Sequence, residues 1–382
     1  MSASSADRTD ALTGHADFSF EALVQAYFDC RRAKRNRASA LEFEIDLERN
    51  LTRLHDELVG GTYRPGPSVC FVVTRPKARE VWAAQFRDRI VHHLLYSHIA
   101  ARVHARFIAD SCACIPERGT LYAARRLAAK VRSATQNWQI PVYYLKCDVA
   151  NFFVSIDKSV LATLLAQHIN EPWWQALAEM ILFHDPRPGA MVRSGPDLMG
   201  KVPAHKSLIN QPAHLGLPIG NLSSQFFANV YLDVLDQHVK HVLHAKHYVR
   251  YVDDFVLLHE STDVLNAWLA DIRAFLPREL HITLNDRKTV LQPVDRGVDF
   301  VGHLIKPWHT RTRPRTVRAA LRRLECQSEA DLFESGNSYF GLLRQAPHSH
   351  HDRARIAKAM LKRGYTVNLS MTKAYRKAKE SA

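Results

Sequence analysis

His247-Tyr-Val-Arg-Tyr-Val-Asp-Asp-Phe-Val-Leu-Leu-His259 decides how this chain is read. Two apolar, β-favouring runs flank one pair of adjacent acids, Asp253 and Asp254, which is the pattern of a β-hairpin with carboxylates at its turn. Neighbouring residues of a regular strand face opposite ways, so only a turn lets both acids approach one site. Acids set between apolar strands are costly unless something compensates them. A divalent cation is the obvious compensation, and oxygen-only ligands suit magnesium. An Asp-Asp pair alone is also the composition of a solvated turn. A third acid upstream decides between the two. Val142-Tyr-Tyr-Leu-Lys-Cys-Asp148-Val-Ala-Asn-Phe-Phe153 opens as another strand-like run and delivers Asp148. Two strands that each deliver acids at one end can hold two metal ions about 3.5–4 Å apart for phosphoryl transfer.

Asp148, the loop Gly216-Leu-Pro-Ile-Gly-Asn-Leu-Ser-Ser-Gln225 and the hairpin Tyr251-Val-Asp-Asp254 stand in an order and spacing that resembles a reverse transcriptase palm. The resemblance covers roughly residues 60–345. It implies an α+β, right-hand polymerase fold, with fingers, a palm built on an antiparallel ferredoxin-like sheet, and a helical thumb. The expected segments are 1–17, a disordered N-terminus; 18–60, a helical extension; 61–305, fingers and palm; and 306–382, a basic helical thumb and tail. The implied activity is RNA-directed DNA synthesis from deoxynucleoside triphosphates, with template RNA and the RNA/cDNA duplex as partners. The implied cofactors are two Mg2+ ions, with Mn2+ as a substitute, held by Asp148, Asp253, Asp254 and the carbonyl of Val149.

Further roles come from the same resemblance. Lys77 and Arg79 fall on the fingers strand that holds the incoming triphosphate in this family, and they alternate with Ala78, so both point to one face. Phe153 stands at the offset of the aromatic that stacks under the nucleotide sugar and excludes a 2′-hydroxyl; one of Phe152 and Phe153 should be core. Arg118, Gly119 and Thr120 occupy the segment that contacts the template strand. A Gly-Thr opening a helix can hold a phosphate on its amides, and capping accounts for Thr120 equally well. Lys288 matches the lysine near the leaving pyrophosphate and can act as a general acid, or is a solvated turn lysine. Gly297 to Ile305, with Phe300, Gly302 and His303, resembles the primer-grip hairpin, and Tyr251 joins this template and primer set.

The 216–225 loop starts a helix, read as Phe226 to His244, with Ser223 or Ser224 as its cap and Gly220 permitting close approach to a ligand. Most similar reverse transcriptases carry Gln before the second Gly and Ser-Pro at the end; here Ile219 and Gln225 stand instead. That departure resembles the diversity-generating retroelement branch, whose enzymes copy template RNA with errors at adenines. The branch implies a small, basic, pentameric accessory variability protein as a partner. Competing readings are an antiphage-defence or retron-like reverse transcriptase and a non-catalytic RNA-binding protein on a polymerase scaffold.

The chain has 382 residues, net charge +14 and a hydrophobic fraction of 46%, a globular balance that favours a polyanionic partner. No apolar run approaches the roughly 18 residues needed to span a bilayer, and the N-terminus lacks an apolar signal core, so a cytoplasmic location and no membrane partner are expected. The six cysteines are scattered without zinc-site spacing and read as reduced thiols. His348-Ser-His-His-Asp352 reads as a solvated loop, and the basic joint Arg31 to Arg37 as a phosphate contact. Periodicity predicts two helices between Phe18 and Val59, and strands at Val69–Val73 and Leu280–Leu284. It also predicts a long loop over 184–215 and a helix from Leu321 to Leu332.

Overall fold

The computed structural model describes residues 12, 15–32, 37–75 and 77–376. Most of the N-terminal stretch expected to be disordered, the centre of the basic joint at 33–36, and the end of the basic tail from Lys377 lie outside the described residues.

Helices α1 (Phe20–Arg31), α2 (Ala38–Glu44) and α3 (Leu47–Val59) come first, followed by strands β1 (Val69–Val73) and β2 (Arg79–Ala83). Helices α4 (Phe86–His104) and α5 (Thr120–Ala134) lead to β3 (Tyr143–Asp148). After it come α6 (Phe152–Ser155), α7 (Lys158–Ala166), α8 (Pro172–Phe183), the short β4 (Met191–Val192), α9 (Pro196–Met199) and the long α10 (Leu222–His241). Strands β5 (His247–Tyr251) and β6 (Asp254–His259) precede α11 (Thr262–Leu280), β7 (Val290–Pro293), β8 (Val298–Phe300), β9 (His303–Ile305) and β10 (Thr310–Thr312). Helices α12 (Pro314–Cys326), α13 (Glu329–Leu343) and α14 (His350–Lys362) and the small hairpin β11 (Thr366–Val367) and β12 (Ala374–Tyr375) end the chain. Two compact units result, each discontinuous in sequence. The first draws on Met1–Ile108, Val149–His238 and Asp271–Asn285, the second on Ala109–Asp148, Val239–Ala270 and Asp286–Ala382.

In the first unit, β1 pairs antiparallel with β2 and parallel with β4, in the order β2-β1-β4. The 216–225 segment is stitched to β2. Trp82 donates its amide to the Ile219 carbonyl at 2.7 Å, and the Asn221 side chain bonds both the Ala84 amide and the Trp82 carbonyl at 3.1 Å. Gly220 sits between these bonds at φ +128°, and a Cβ there would lie 2.8 Å from Val81 Cγ1 and 3.3 Å from the Trp82 carbonyl oxygen. This glycine permits the close approach of its own neighbouring strand.

Several expected elements differ. The 18–59 region holds three helices, because α2 and α3 are separate. Arg31 of the basic joint is spent on Glu44, at 2.5 and 3.0 Å. Residues 184–215 are not structureless: they carry β4, α9 and two 3₁₀ turns. Their anchor is the buried Glu80 carboxylate, which accepts from the Leu208 amide at 2.9 Å and from Trp82 Nε1 at 3.1 Å. Helix α10 begins at Leu222, so Ser223 and Ser224 lie inside its first turn, both buried, and neither caps it. The expected 280–284 strand is the end of α11 followed by a single bridge between Val149 and Leu284.

The second unit is organised on a four-stranded antiparallel sheet in the order β5-β6-β3-β7. Ala123, Leu127 and Val131 of α5 pack with Tyr144, Val249, Val256, Val298 and Phe300 in one core. A three-stranded sheet, β10-β9-β8, follows. A separate core forms from α12, α13 and α14 around Val317, Leu324, Leu332, Phe340, Ile356 and Met360. The single helix expected at 321–332 is the end of α12 and the start of α13. The His348–Asp352 cluster is not a loop, because His350 opens α14 behind the buried Ser349. All six cysteines are free thiols, Cys114 and Cys326 exposed and the others buried.

Replacing Gly220 by Ala forces a left-handed backbone and a clash with β2. The Gly220→Ala protein should lose about 1–3 kcal/mol of stability, read as a lower urea midpoint with unchanged slope.

Candidate active site

All three candidate acids lie in the second unit, Asp148 and Asp254 on neighbouring strands of one sheet and Asp253 in the turn beside them. Strand β3 ends at Asp148, and its antiparallel register with β6 places Asp148 directly opposite Asp254. Tyr251 pairs with Asp254 across the β5–β6 hairpin, leaving Val252 and Asp253 to make the turn. Val252 is at φ +55°, a left-handed conformation that strains a β-branched residue.

The turn is held by Arg250, a fully buried arginine. Its guanidinium donates to the Val252 carbonyl at 3.0 Å and to Ser111 Oγ at 2.9 Å. Its backbone amide donates to the Asp110 carbonyl at 2.9 Å, and its carbonyl accepts from the Cys112 amide at 3.0 Å. The Asp110 carboxylate is in turn gripped by Arg126 at 2.5 Å, Lys130 at 2.9 Å and Lys240 at 3.2 Å.

Two lysines face the acids. Lys288, on the 3₁₀ turn at Asp286–Lys288, donates to Asp148 Oδ1 at 2.5 Å. Lys146, on β3, contacts Asp254 Oδ2 at 3.0 Å and donates to the Asp299 carbonyl at 2.6 Å. The other oxygen of Asp254, Oδ1, is buried and has no hydrogen-bond partner among the described residues. Burial pushes the Asp254 carboxyl up to about 6; Lys146 opposes the shift and the charges of Asp253 and Asp148 add to it.

Among the described residues, no three His, Cys, Asp or Glu side chains are drawn together closely enough to hold a metal as they stand. Asp148 and Asp254 are each turned toward a lysine. The donor set nonetheless fits a hard divalent cation. It consists of carboxylate oxygens only, and Asp254 Oδ1 is an acceptor that none of the described residues satisfies.

The remaining candidates divide between the units. Tyr251, Arg118, Gly119, Thr120, Phe300, Gly302 and His303 lie in the second. Arg118 donates to the Ser111 carbonyl at 2.9 Å and lies over the Tyr122 ring. Gly119 is the N-cap position and Thr120 the first helical residue, so Thr120 is not a cap. Phe300 is 0% exposed and His303 3%, which makes them core of the 298–305 hairpin, while Asp299, Leu304 and the tip, Val301 and Gly302, stay partly exposed. The first unit holds Lys77, Arg79, Val149, Phe153, Ile219, Gly220 and Gln225. Phe152 is the core ring and Phe153 stays half-buried, its carbonyl accepting from the Leu217 amide at 2.7 Å. Lys77 and Arg79 are exposed, with Arg79 opening β2 and Lys77 preceding it.

Sequence reasoning missed Lys146 and Arg250. Both signals were present: Lys146 shares a strand face with Asp148 by the period of two, and Arg250 interrupts an apolar run where a cation must find partners.

A model of the family described as reverse transcriptase (RNA-dependent DNA polymerase) matches residues 76–305. The chain belongs to the reverse transcriptase family. Its matched domain is that of an RNA-directed DNA polymerase, a nucleotidyltransferase, and domains of this family use divalent metal ions. No curated protein matches this reverse transcriptase chain. Among solved structures, apo telomerase from Candida tropicalis is similar at a TM-score of 0.50 and 13% identity, over 78% of this chain and 57% of that one. Telomerase from Candida albicans, in complex with a TWJ fragment of telomeric RNA, is similar at a TM-score of 0.45 and 12% identity, over 78% of this chain and 56% of that one. The chain therefore spans little more than half the length of these telomerase chains. What the Candida tropicalis likeness supports is the fold, a telomerase-like polymerase fold of mixed helix and sheet. Among the described residues, no helix is long and apolar enough to cross a membrane.

The raised Asp254 pKa has a stability consequence. The folded state binds the proton more tightly than the unfolded state, whose carboxyl titrates near 3.8, so stability falls as pH rises from about 4 through about 6. Asp254→Asn should remove that cost. We expect its melting temperature at pH 7.5 to exceed wild type by about 2–4 °C, with the gain gone at pH 4, as read by differential scanning fluorimetry.

Proposed function

We propose that this chain is an RNA-directed DNA polymerase that copies a structured template RNA into cDNA, and that it belongs to the diversity-generating retroelement branch. The observation that carries the first part is the sheet register setting Asp148 against Asp254, with Asp253 in the adjoining turn. On this reading the four-stranded sheet is the palm, the β1–β2 region belongs to the fingers, and α12–α14 form the thumb.

Asp148 and Asp253 are the principal ligands of two Mg2+ ions, with Asp254 and the Val149 carbonyl completing the set. When bound, the ions lower the pKa of the primer 3′-hydroxyl and neutralise the leaving pyrophosphate. Lys288 lies within reach of Asp148 and can move to the leaving group as a general acid. Phe153 supports the nucleotide sugar and excludes a 2′-hydroxyl, while Lys77 and Arg79 meet the triphosphate. Gln225, exposed on the first turn of α10, belongs to the same nucleotide set. Arg118, Gly119, Thr120 and Tyr251 face the template and primer, and the tip of the 298–305 hairpin at Gly302 meets the primer end. Exposed Arg315, Arg318 and Arg322 recur at helical spacing on α12 and suit contacts to phosphate that ignore sequence.

The branch assignment rests on Ile219 and Gln225 within the 216–225 run, and it brings the small basic accessory protein with it as a partner. Ile219 offers the nucleotide no side-chain amide, and fewer polar contacts weaken discrimination between correct and wrong pairs.

Asp148→Ala and Asp253→Ala should each abolish primer extension on an RNA template while RNA binding, followed by gel shift, persists. Extension retained in either variant sinks the site assignment. Ile219→Gln should lower misincorporation opposite template adenines in sequenced cDNA; an unchanged error spectrum rules out this role for Ile219.

A further inference from the structure

The register of the palm-like sheet does more than oppose two acids. Asp148 pairs with Asp254, and Lys146, one pleat back on the same face of β3, pairs with Val256 and Val290. Lys146 is therefore a diagonal neighbour of Asp254, a separation that a long side chain spans. Its ammonium does so, 3.0 Å from Asp254 Oδ2, while donating at 2.6 Å to the Asp299 carbonyl of β8. The Asp299 carboxylate is itself paired with Arg313, whose amide donates to the Gly302 carbonyl at 3.0 Å. One lysine thus links the acid-bearing hairpin to the 298–305 hairpin.

Lys288 contrasts with it. Its side chain is 44% exposed and sits on a short turn, whereas that of Lys146 is 17% exposed on a strand hydrogen-bonded to both neighbours. Lys288 can leave Asp148 at little cost. Lys146 cannot leave Asp254 without giving up a buried contact and its bond to β8.

We propose that Lys146 is a positioning residue for catalysis: it fixes Asp254 through Oδ2, so that only the unsatisfied Oδ1 faces a ligand, and it sets the 298–305 hairpin relative to the acids. The proposal rests on the polymerase reading. It has a signature that simple structural support lacks. Removing the cation beside Asp254, whose carboxyl feels the charges of Asp253 and Asp148, makes this end of the sheet more negative, so divalent ions should bind more tightly even as turnover falls.

The test uses the full chain as Lys146→Met, which keeps the apolar stem, and as Lys146→Arg, which keeps the charge. Mn2+ binding to the protein without nucleic acid is followed by electron paramagnetic resonance of the free ion. Single-nucleotide incorporation is followed on a preformed RNA-template/DNA-primer duplex. For Lys146→Met we expect Mn2+ affinity several-fold tighter than wild type, kcat lower by about 10²-fold, and the nucleotide KM nearly unchanged. Lys146→Arg should restore the wild-type Mn2+ affinity and recover part of kcat. Wild-type incorporation in Lys146→Met, or an Mn2+ affinity that stays level or falls, overturns the proposal. Should Lys146→Met not fold, Lys146→Arg decides: a kcat about tenfold down at unchanged Mn2+ affinity supports the proposal, and an unchanged kcat overturns it. If the wild-type chain itself extends no primer, the polymerase reading fails, and the Mn2+ measurements still decide what Lys146 does to the acids.

Discussion

Carboxylates brought together at the end of a sheet repel one another, and burial makes each charge dearer still. That constraint shapes the second unit. Asp254 is largely buried, next to Asp253 in sequence and opposite Asp148 in register. The surrounding sequence answers with cations placed from different directions: Lys146 from the same strand face, Lys288 from the turn before β7, and Arg250 from β5. Arg250 itself lies on β5, within the hairpin. It holds the backbone of the turn, where Val252 adopts a conformation that β-branched residues avoid. The strained turn, the buried arginine and the paired lysines are one arrangement, and each would be a liability without the others.

How far the sequence discloses this arrangement depends on the range of the forces involved. The β5–β6 hairpin and the strand that ends at Asp148 were legible because alternation and apolar runs are local signals. Helix α11 carries Pro277 inside its last turn. The helix runs on to Leu280 because Ile272, Phe275, Leu276 and Leu280 stay buried, and tertiary packing outweighs the lost hydrogen bond. Strand β7, which periodicity does not single out, ends in Pro293, a residue that an edge strand tolerates, and β7 is at the edge. The start of α10 was misplaced because Asn221, just before it, spends its side chain on β2 rather than on the helix.

The candidate site follows the same division. Its acids announced themselves by adjacency and by the strand that delivers them, whereas its counter-ions did not. Nothing about Lys146 in isolation says whether it meets solvent or a carboxylate; the β3–β6 register decides, and register is a long-range property. Phe300 and His303 show the converse. Their places in a hairpin pattern pointed outward to a primer, but alternation could not tell which face of the small β8–β9–β10 sheet would be covered. The core formed with α5 covers the face that holds Phe300, and the opposite face, with Asp299 and Leu304, stays partly open like the tip.

The energetic balance also bears on whether the scaffold is catalytically idle. A protein that used this fold only to hold RNA would need basic surface, which the chain has in abundance at net charge +14. It would have no use for a desolvated carboxylate whose pKa is lifted to about 6, nor for a buried oxygen that no donor among the described residues satisfies. Such features lower stability and persist where function requires them. Lys146 meets Asp254 and Lys288 meets Asp148, so the counter-ions come from separate segments of the chain. An acid cluster maintained in this way favours chemistry at the sheet end over passive RNA binding.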